Sequence, residues 1–246
     1  MPILRLLGFY VIYSERNEGK RSCGLIYRSL SLCNYICANS IEVASLLENK
    51  TRKHVEYIPN GVVMDTNLDF KIKNRGQVFK ILVPARIDPK KNQVLVVKAL
   101  RDLSDIEIHF AGKVDVKKYF DLLLKEIGGN NIFVLDGYVP KIRNYYREFD
   151  LVLLPSLEEG TSNVILECLA DGIPCMVSNI SMNVRLQQSS MFVFESNNAK
   201  DLQLKVGDYM KKSASDIEQV LIAGRLFVAN NYSVEKMIEK YFSLFQ

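Results

Sequence analysis

The sequence contains few of the residues that build metal sites and disulfide frameworks. Among 246 residues there are two histidines, His54 and His109, and five cysteines. The cysteines are odd in number and form no C-x-x-C pair, so buried reduced thiols are their expected state. Local spacing assembles no zinc-type cluster of ligands from these side chains. We therefore predict no metal site.

Long apolar runs are also missing. No run approaches the roughly 20 residues that a membrane-spanning helix needs. The apolar stretch at the N-terminus is interrupted at Arg5 and gives way to polar residues after Tyr13, without a small-residue cleavage site. This pattern is not typical of a signal peptide. The sequence thus predicts a chain that stays in the cytoplasm.

Charge of one sign is not in marked excess. Lysine and arginine number 32 and the acidic residues 28, which gives a net charge of +4. The basic residues form no arm and no stripe interleaved with aromatic residues, so nucleic acid is not an expected partner. An anionic small molecule and a membrane surface both stay open as partners.

Short β-type runs alternate with helical stretches along the chain, which predicts an α/β fold with parallel sheets. The apolar run LVLL at 151–154 fits a sheet that is covered on both faces. The predicted strands are 9–14, 35–39, 55–58, 79–85, 106–111, 132–135, 151–154, 174–178 and 191–194. The predicted helices are 24–33, 41–48, 93–103, 116–127, 141–149, 163–170 and 199–210.

A strong turn signal at Pro59-Asn60-Gly61 marks a domain boundary. It is followed by a polar stretch without a core pattern. We predict an N-terminal domain at 1–63, a linker at 64–78 and a complete parallel-sheet domain at 79–230. The first of these is short, because compact domains usually run to about 100–150 residues. It is expected to be a partial domain, so either the chain is a fragment or another polypeptide completes the sheet.

The most informative window is LPSLEEGTSNVILECLADGIP at 154–174. A buried-type strand ends at Leu154, a loop carries Glu158 and Glu159, and an apolar helix begins near Ser162. Open α/β folds place their ligands at the carboxyl ends of such strands. The backbone amides at a helix start suit a phosphate, and Gly160 permits close approach to the backbone.

Glu167 lies within VILECLA, a run that otherwise suits a buried core. A bare carboxylate in the core is costly, so this side chain must find a partner or face a cleft. A polar stripe on a surface helix is the alternative, and this residue alone does not decide between the two.

A second window, VPARIDPKKNQ at 83–93, places two cations between a strand and a helix. Arg86 can form bidentate bonds with phosphate oxygens, and Lys91 can add a mobile point charge. Taken alone, this spacing favours ordinary solvated loop residues. Their pairing with a helix start on another strand of the same sheet favours a site where the two loops jointly bind a pyrophosphate.

Five segments together match, in order and at plausible spacing, the pattern of a known family. They are IPNGV at 58–62, AR with KNQ at 85–93, FAG at 110–112, GYVP at 137–140, and the stretch from Pro155 to Glu167, in which Glu159 and Glu167 are separated by seven residues. With these segments the chain resembles the retaining glycosyltransferases of the GT-B fold, specifically glycosyltransferase family 4, also called glycosyl transferases group 1. The resemblance implies a complete C-terminal Rossmann-like domain, a partial N-terminal Rossmann-like domain, and a last helix within 231–246 that packs back on the N-terminal part.

The resemblance also implies a role for each matched residue. Arg86 and Lys91 would hold the diphosphate of the donor, and Glu159 would lie near the transferring carbon of its sugar; these three are the implied catalytic residues. Glu167 would bind the ribose hydroxyls of the nucleotide. The other implied donor-binding residues are Gly160, Thr161, Ser162, Asn163 and Val164, through their backbone amides, and Tyr138 and Val139, beside the nucleotide base.

The activity that the resemblance implies is hexosyl transfer, with retention of configuration, from a nucleotide-diphosphate sugar. The acceptor would be a glycan or a polyprenyl-linked glycan in the synthesis of a capsule, O-antigen or exopolysaccharide, at the inner face of the cell membrane. Arg86, Lys91 and the helix start near Ser162 would stabilise the departing diphosphate without a metal. The sequence has no D-x-D, and no cofactor besides the donor is expected.

The beginning of the sequence departs from the family pattern. The first strands of the acceptor-side domain, its glycine-rich loop and its usual histidine are absent, and neither His54 nor His109 matches that histidine. Two interpretations therefore stay open. The chain is a transferase, or it is a non-catalytic or split-enzyme fragment that binds nucleotide sugar and relies on a partner chain for the N-terminal half. A nicotinamide oxidoreductase is not favoured, since no G-x-G-x-x-G opens a βα unit.

Overall fold

A computed structural model of the chain describes residues 4, 7–16, 24–65, 76–180, 183 and 191–246. Arg5 and the middle of the predicted linker, 66–75, lie outside the described residues. The chain divides into two compact units, Met1–Val62 with Asn230–Gln246, and Val63–Ala229. Each unit contains a parallel sheet with helices, so the predicted α/β fold class is confirmed.

The N-terminal part of the first unit is a short parallel sheet with the strand order β1-β2-β3. Its elements are β1 (Ile12–Glu15), α1 (Gly24–Leu30), β2 (Tyr35–Ala38), α2 (Ile41–Thr51) and β3 (Glu56–Tyr57). Ser40 caps the start of helix α2, because its side chain accepts a hydrogen bond from the Val43 amide at 3.1 Å. The side chains of Ile36 and Leu47 are almost fully buried in the core of this unit.

The first predicted strand, 9–14, begins three residues later than expected. Phe9 lies in a turn, where its amide donates to the Leu4 carbonyl at 3.0 Å, and its side chain is 56% exposed. Strand pairing starts only at Ile12, which lies opposite Tyr35. Hydrophobicity alone marked Phe9 and Tyr10 as strand, although they have no partner strand within the described sheet.

The second unit contains a larger parallel sheet with the strand order β6-β5-β4-β7-β8-β9. Its elements are β4 (Phe79–Pro84), α3 (Gln93–Leu100), β5 (Ile106–Ala111), α4 (Lys117–Ile127), β6 (Phe133–Gly137), α5 (Ile142–Tyr145), β7 (Leu151–Leu154), α6 (Asn163–Asp171), β8 (Cys175–Ser178), β9 (Phe192–Phe194), α7 (Ala199–Met210) and α8 (Ala214–Asn231). The chain leaves β4 toward one edge, through β5 and β6, and then returns to β7 on the other side of β4. The adjacent strands β4 and β7 therefore form a topological switch point, the usual ligand position in such sheets.

The central strands of this sheet are covered on both faces, as their continuous apolar sequences predict. Ile81, Leu82 and Val83 have no exposed surface, although neighbouring side chains of a strand point to opposite faces. A core that includes Val97 of α3 and Leu123 of α4 packs on one of these faces.

Two helical predictions in the second unit need correction. The predicted helix 141–149 is the short helix α5 followed by a 3-10 helix at Tyr146–Glu148. Lys141 adopts a left-handed conformation with φ of 52°, so the regular helix cannot extend back to it. Helix α8 was not predicted at all, although the Ser213 hydroxyl accepts a hydrogen bond from the Asp216 amide at 3.1 Å, which is a recognisable helix start.

The final helix, α9 (Val234–Phe242), belongs to the first unit and contacts its N-terminal part. Ser233 caps this helix and pairs with Val62 in a parallel bridge. The hydroxyls of Ser14 and Tyr241 lie 2.7 Å apart. These contacts tie the helix to the carboxyl end of β1. No helix among the described residues is both long and apolar enough to cross a membrane.

Candidate functional site

The candidate site lies at the carboxyl ends of β4 and β7. These two strands pair in parallel, with Leu82 opposite Val152, so the loops that follow them leave the sheet at the same edge. The amide of Leu157 donates to the Lys90 carbonyl at 2.7 Å. The loop that carries the predicted cations therefore contacts the loop that carries the predicted glutamates.

A partly buried ion pair joins the two loops. Lys91 Nζ lies 2.6 Å from Glu159 Oε1, and the two side chains are 18% and 14% exposed. The hydroxyl of Ser156, which is fully buried, donates to the same carboxylate oxygen at 2.7 Å. The carboxylate of Glu159 is thus fixed by two donors through Oε1.

Arg86 lies at the same edge but has a different partner. Its side chain is 63% exposed, and Nη1 is 2.5 Å from Oδ2 of Asp115, in the loop after β5. Its carbonyl accepts a hydrogen bond from the buried Gln93 side chain at 2.8 Å. The structure brings Lys91 to the loop of Glu159 and pairs Arg86 with the β5 loop, so joint binding of one pyrophosphate by both cations stays a prediction.

The ends of β4, β5 and β6 approach one another closely at Gly112. A Cβ atom at this position would lie 2.0 Å from the Ala85 carbonyl oxygen, so only glycine fits without a backbone shift. The Gly112 amide donates to the Gly137 carbonyl at 2.6 Å. Three successive loops are therefore held together by their backbones.

Tyr138 follows directly after β6 at this edge and is 63% exposed. The Lys113 ammonium lies 4.6 Å from the centre of its ring, a cation–π distance. Val139, the other residue predicted beside the base, is partly buried. Tyr138 therefore places an aromatic face beside the loop after β5.

Helix α6 begins directly after the Glu159 loop. Ser162 is its N-cap residue, with an extended backbone and no side-chain capping hydrogen bond within the described part of the chain. Thr161 and Ser162 are buried, whereas Gly160 and Asn163 are exposed and Val164 is partly buried. The first-turn amides of a helix carry partial positive charge, so this helix start adds to the positive potential near Lys91.

Glu167 lies about one turn further along α6 and is partly buried. The Tyr146 hydroxyl donates to its Oε2 at 2.9 Å. Burial raises the pKa of Glu167 above its usual range, while this hydrogen bond and the positive charge of Arg143 act in the opposite direction. The carboxylate has therefore found a partner, as its apolar surroundings required.

A second carboxylate on α6 fixes the neighbouring segment. Arg143, on α5, donates from Nε to Asp171 Oδ2 at 2.7 Å and from Nη2 to Oδ1 at 2.6 Å. The same Nη2 also donates to the Val63 carbonyl at 2.8 Å. Asp171 is only 6% exposed, and its hydrogen bond is the main cause that raises the pKa of Arg143. This bidentate pair ties α5 to α6.

Five residues around the predicted ones were not found from the sequence. Asp115, Tyr146 and Ser156 are hydrogen-bond partners of predicted residues, and Arg143 and Asp171 form a pair with each other beside Glu167. Ser156 lies three residues from Glu159 in the same loop. The Arg86–Asp115, Tyr146–Glu167 and Arg143–Asp171 pairings cross between elements, so no local spacing indicates them. Of these residues, only Asp171 had a visible signal, as a carboxylate at the end of an otherwise apolar run. Among the residues that the structure describes, no group of three or more His, Cys, Asp and Glu side chains is placed to hold a metal ion.

Solved structures with the same architecture define the class of fold. HepE from Anabaena, in a structure with UDP and glucose, has a TM-score of 0.80 at 15% identity, covering 98% of this chain and 72% of that one. A glycosyltransferase from Rickettsia africae has a TM-score of 0.79 at 20% identity, covering 99% and 78%. The fold is that of the GT-B glycosyltransferases, with Rossmann-like parallel-sheet domains, as predicted.

Sequence comparison shows the family. Residues 64–224 match the family Glycosyl transferases group 1, and the chain belongs to that family. Protein CapJ of Staphylococcus aureus is 27% identical over 186 residues, which cover 73% of this chain and 44% of CapJ. An Escherichia coli UDP-Gal:alpha-D-GlcNAc-diphosphoundecaprenol alpha-1,3-galactosyltransferase is 23% identical over 223 residues, or 78% of this chain and 54% of the enzyme. The chain thus spans about half the length of these relatives.

Proposed function

We propose that this chain binds a nucleotide-diphosphate sugar and is the donor-binding part of a retaining, family 4 hexosyltransferase. The observation that carries the proposal is the 2.6 Å contact between Lys91 and Glu159, which joins a cationic loop to a helix start at the switch point of the sheet. Membership of the group 1 family supports it. The solved HepE structures, which hold UDP-glucose or UDP with glucose, support a nucleotide-sugar ligand.

In the proposed mechanism, the diphosphate of the donor takes the place of Glu159 as the main partner of Lys91. Arg86 exchanges Asp115 for the same diphosphate, and the amides of 160–164 donate to its oxygens. Negative charge grows on the diphosphate as the sugar bond breaks, and donors fixed in advance stabilise that charge. These groups supply the positive charge, so the proposal requires no metal and no cofactor besides the donor.

The remaining site residues would hold the two ends of the donor. Glu159, already oriented by Ser156 through Oε1, would use Oε2 to accept hydrogen bonds from hydroxyls of the donor sugar. Glu167 would accept from the ribose hydroxyls. The exposed ring of Tyr138 would stack on the base, with Val139 beside it.

The proposed acceptor is a glycan or a polyprenyl-linked glycan of a surface polysaccharide. This proposal follows the Escherichia coli relative, which is named for transfer to a diphosphoundecaprenol-linked sugar. An acceptor of that kind would place the chain in the cytoplasm, peripherally at the inner face of the membrane. The alternative is a chain that binds nucleotide sugar without transferring it, with a partner chain completing the acceptor side. The observation behind that alternative is the small first sheet, which has three described strands.

Calorimetric titration of the full chain with UDP, GDP and ADP tests donor binding. We expect one of these nucleotides to bind. Lys91→Ala should lower its affinity by about tenfold or more, because a charge-assisted contact is lost. Lys118→Ala, at an exposed position on α4, is the matched control and should bind as the parent does. Excess EDTA should not change the affinity. If no nucleotide binds, or if Lys91→Ala and Lys118→Ala behave alike, the proposal is wrong.

A transfer assay then distinguishes a complete transferase from a chain that only binds the donor. The purified chain would be mixed with radiolabelled UDP- and GDP-hexoses and with polyprenyl-linked acceptors. Transfer of label to the acceptor supports a complete transferase. Binding without transfer across the panel supports the donor-binding alternative.

A further inference from the structure

We infer that Tyr146 is a positioning residue for Glu167: its hydroxyl holds one carboxylate oxygen so that the other faces the ribose of the nucleotide. This inference rests on the proposed function, in which Glu167 binds the ribose. It adds a residue outside the five sequence segments that carry the family resemblance, and it explains how a carboxylate in an apolar helix is held in one orientation.

The geometry of the hydrogen bond supports a positioning role. Tyr146 has no exposed surface, so its hydroxyl cannot turn to solvent for another partner. It donates to Glu167 Oε2 at 2.9 Å. The last torsion of a glutamate side chain is broad, so rotamer preference alone does not fix the carboxylate plane. One strong donor on one oxygen removes that freedom and leaves Oε1 as the oxygen to accept from a ligand.

The segment that carries Tyr146 is itself anchored to the helix that carries Glu167. Arg143 and Tyr146 are three residues apart, and their partners Asp171 and Glu167 are four apart on α6. Both pairs form at once, with the Arg143–Asp171 bonds at 2.6 and 2.7 Å and the Tyr146–Glu167 bond at 2.9 Å. Two side chains of one segment thus fix two carboxylates of one helix, which makes the position of the Tyr146 hydroxyl rigid.

The same hydrogen bond affects the charge of Glu167. Burial raises its pKa, Asp171 adds to that effect, and Tyr146 and Arg143 oppose it. Without the Tyr146 hydroxyl the pKa of Glu167 would rise further. A protonated carboxyl offers fewer acceptor sites than a carboxylate, so the affinity for a ribose would then fall at a higher pH than in the parent chain.

The test is Tyr146→Phe in the full chain, titrated with UDP and, in parallel, with GDP and ADP between about pH 5 and pH 8. Near neutral pH we expect the nucleotide to bind about tenfold more weakly, the usual effect of losing a hydrogen bond to a charged group. The affinity should decrease as the pH falls, and this decrease, the acid limb of the pH profile, should lie at higher pH than in the parent chain. With the 2′,3′-dideoxy form of the same nucleotide, which lacks both ribose hydroxyls, the substitution should cost almost nothing.

Tyr145→Phe is the matched control. Tyr145 is the preceding residue and packs edge-on against Phe149, with ring centres 4.9 Å apart. Its hydroxyl is not a described partner of Glu167, whose bond comes from Tyr146. The control should keep both the affinity and the acid limb of the parent.

The outcomes separate the inference from the proposed function. If the parent binds and Glu167→Gln weakens binding, but Tyr146→Phe binds as the parent does, the inference is wrong and the function stands. If Tyr146→Phe weakens the normal and dideoxy nucleotides equally, its role is only structural and the inference is wrong. If Glu167→Gln has no effect on binding, or if the parent chain binds no nucleotide, both the assignment of Glu167 to the ribose and the inference about Tyr146 are wrong.

A second variant keeps the inference testable if Tyr146→Phe does not fold. 3-Fluorotyrosine, inserted at position 146 alone, keeps the ring and the hydroxyl but makes the hydroxyl a stronger donor. We expect the acid limb of nucleotide binding to move to lower pH in this protein. An unchanged acid limb would overturn the inference.

Discussion

Lys91 and Glu159 are 68 residues apart in the sequence, yet their side chains meet at 2.6 Å. The contact exists because β4 and β7 are neighbours in the sheet, although β5 and β6 lie between them in the chain. Both side chains are less than one-fifth exposed, so this pair is screened less than a surface pair. It sets the distance between the two loops that form the candidate site.

We expect Glu159→Gln to lower the free energy of unfolding by about 1–2 kcal/mol, between the values typical of surface and buried pairs. Lys91 would lose its charged partner while the shape of the side chain is kept. The neighbouring pair Lys90–Glu158, at 3.1 Å with side chains 42% and 67% exposed, provides the control. Glu158→Gln should change stability by less than about 0.5 kcal/mol. Urea unfolding measures the free energy of unfolding of both variants. Equal losses for Glu159→Gln and Glu158→Gln would contradict a stabilising role of the Lys91–Glu159 pair.

Gly112→Ala should destabilise the chain by about 3 kcal/mol, because the new methyl group would overlap the Ala85 carbonyl at 2.0 Å and force the backbone apart. Gly207→Ala is the opposite case. Apart from its chain neighbours and the local helix backbone, no heavy atom lies within 4 Å of the added carbon there, and the position is inside α7. That substitution should stabilise the chain by roughly 0.5–1 kcal/mol. Thermal unfolding of the two variants should therefore shift in opposite directions; a shift in the same direction would contradict the close approach at Gly112.

Arg143→Met should lower the free energy of unfolding by about 3 kcal/mol, since it leaves the buried carboxylate of Asp171 without its bidentate partner. Arg101→Met removes a comparable pair with Glu126, at 2.9 Å, whose side chains are 39% and 25% exposed. The cost there should be below about 1 kcal/mol. Denaturant titration distinguishes the two. A cost for Arg143→Met no larger than that for Arg101→Met would show that the Asp171 pair does not stabilise the fold.

Glu167 should make stability depend on pH in an unusual direction. Burial raises the pKa of its carboxyl in the folded chain, so the folded chain binds this proton more tightly than the unfolded chain. Between the ordinary glutamate pKa of about 4.3 and the raised value, the free energy of unfolding should therefore decrease as pH rises. Urea unfolding across this range, compared with Glu167→Gln, isolates the contribution. If the difference between the two proteins grows in favour of the parent as pH rises, the sign is wrong.

Elements with strong local signals could be predicted from the sequence. The strands Ile106–Ala111 and Leu151–Leu154 have the bounds that their apolar runs predicted, and so does the helix Ala199–Met210. Helix α8 was missed although its N-terminal cap at Ser213 was visible. The segment 141–149 was assigned to one helix because backbone conformation, such as the left-handed Lys141, leaves little trace in a hydrophobic pattern.

In the candidate site, the local sequence predicted where the loops lie but not how their side chains pair. The loops that carry Arg86, Lys91 and Glu159 lie at one edge of the sheet, as expected from the strands that precede them and the helices that follow. The pairings within the site could not be predicted, because they depend on how loops and helices pack. Arg86 with Asp115 spans 29 residues, and Tyr146 with Glu167 spans 21.

The close approach at Gly112 has a consequence for exchanging loops between related proteins. Residues 85, 112 and 137 are linked through their backbones, so the turns after β4, β5 and β6 share one spacing. A transplanted turn after β4 would keep that spacing only in a recipient with glycine at the position of Gly112. Chimaeras that exchange these turns should therefore move all three as a set.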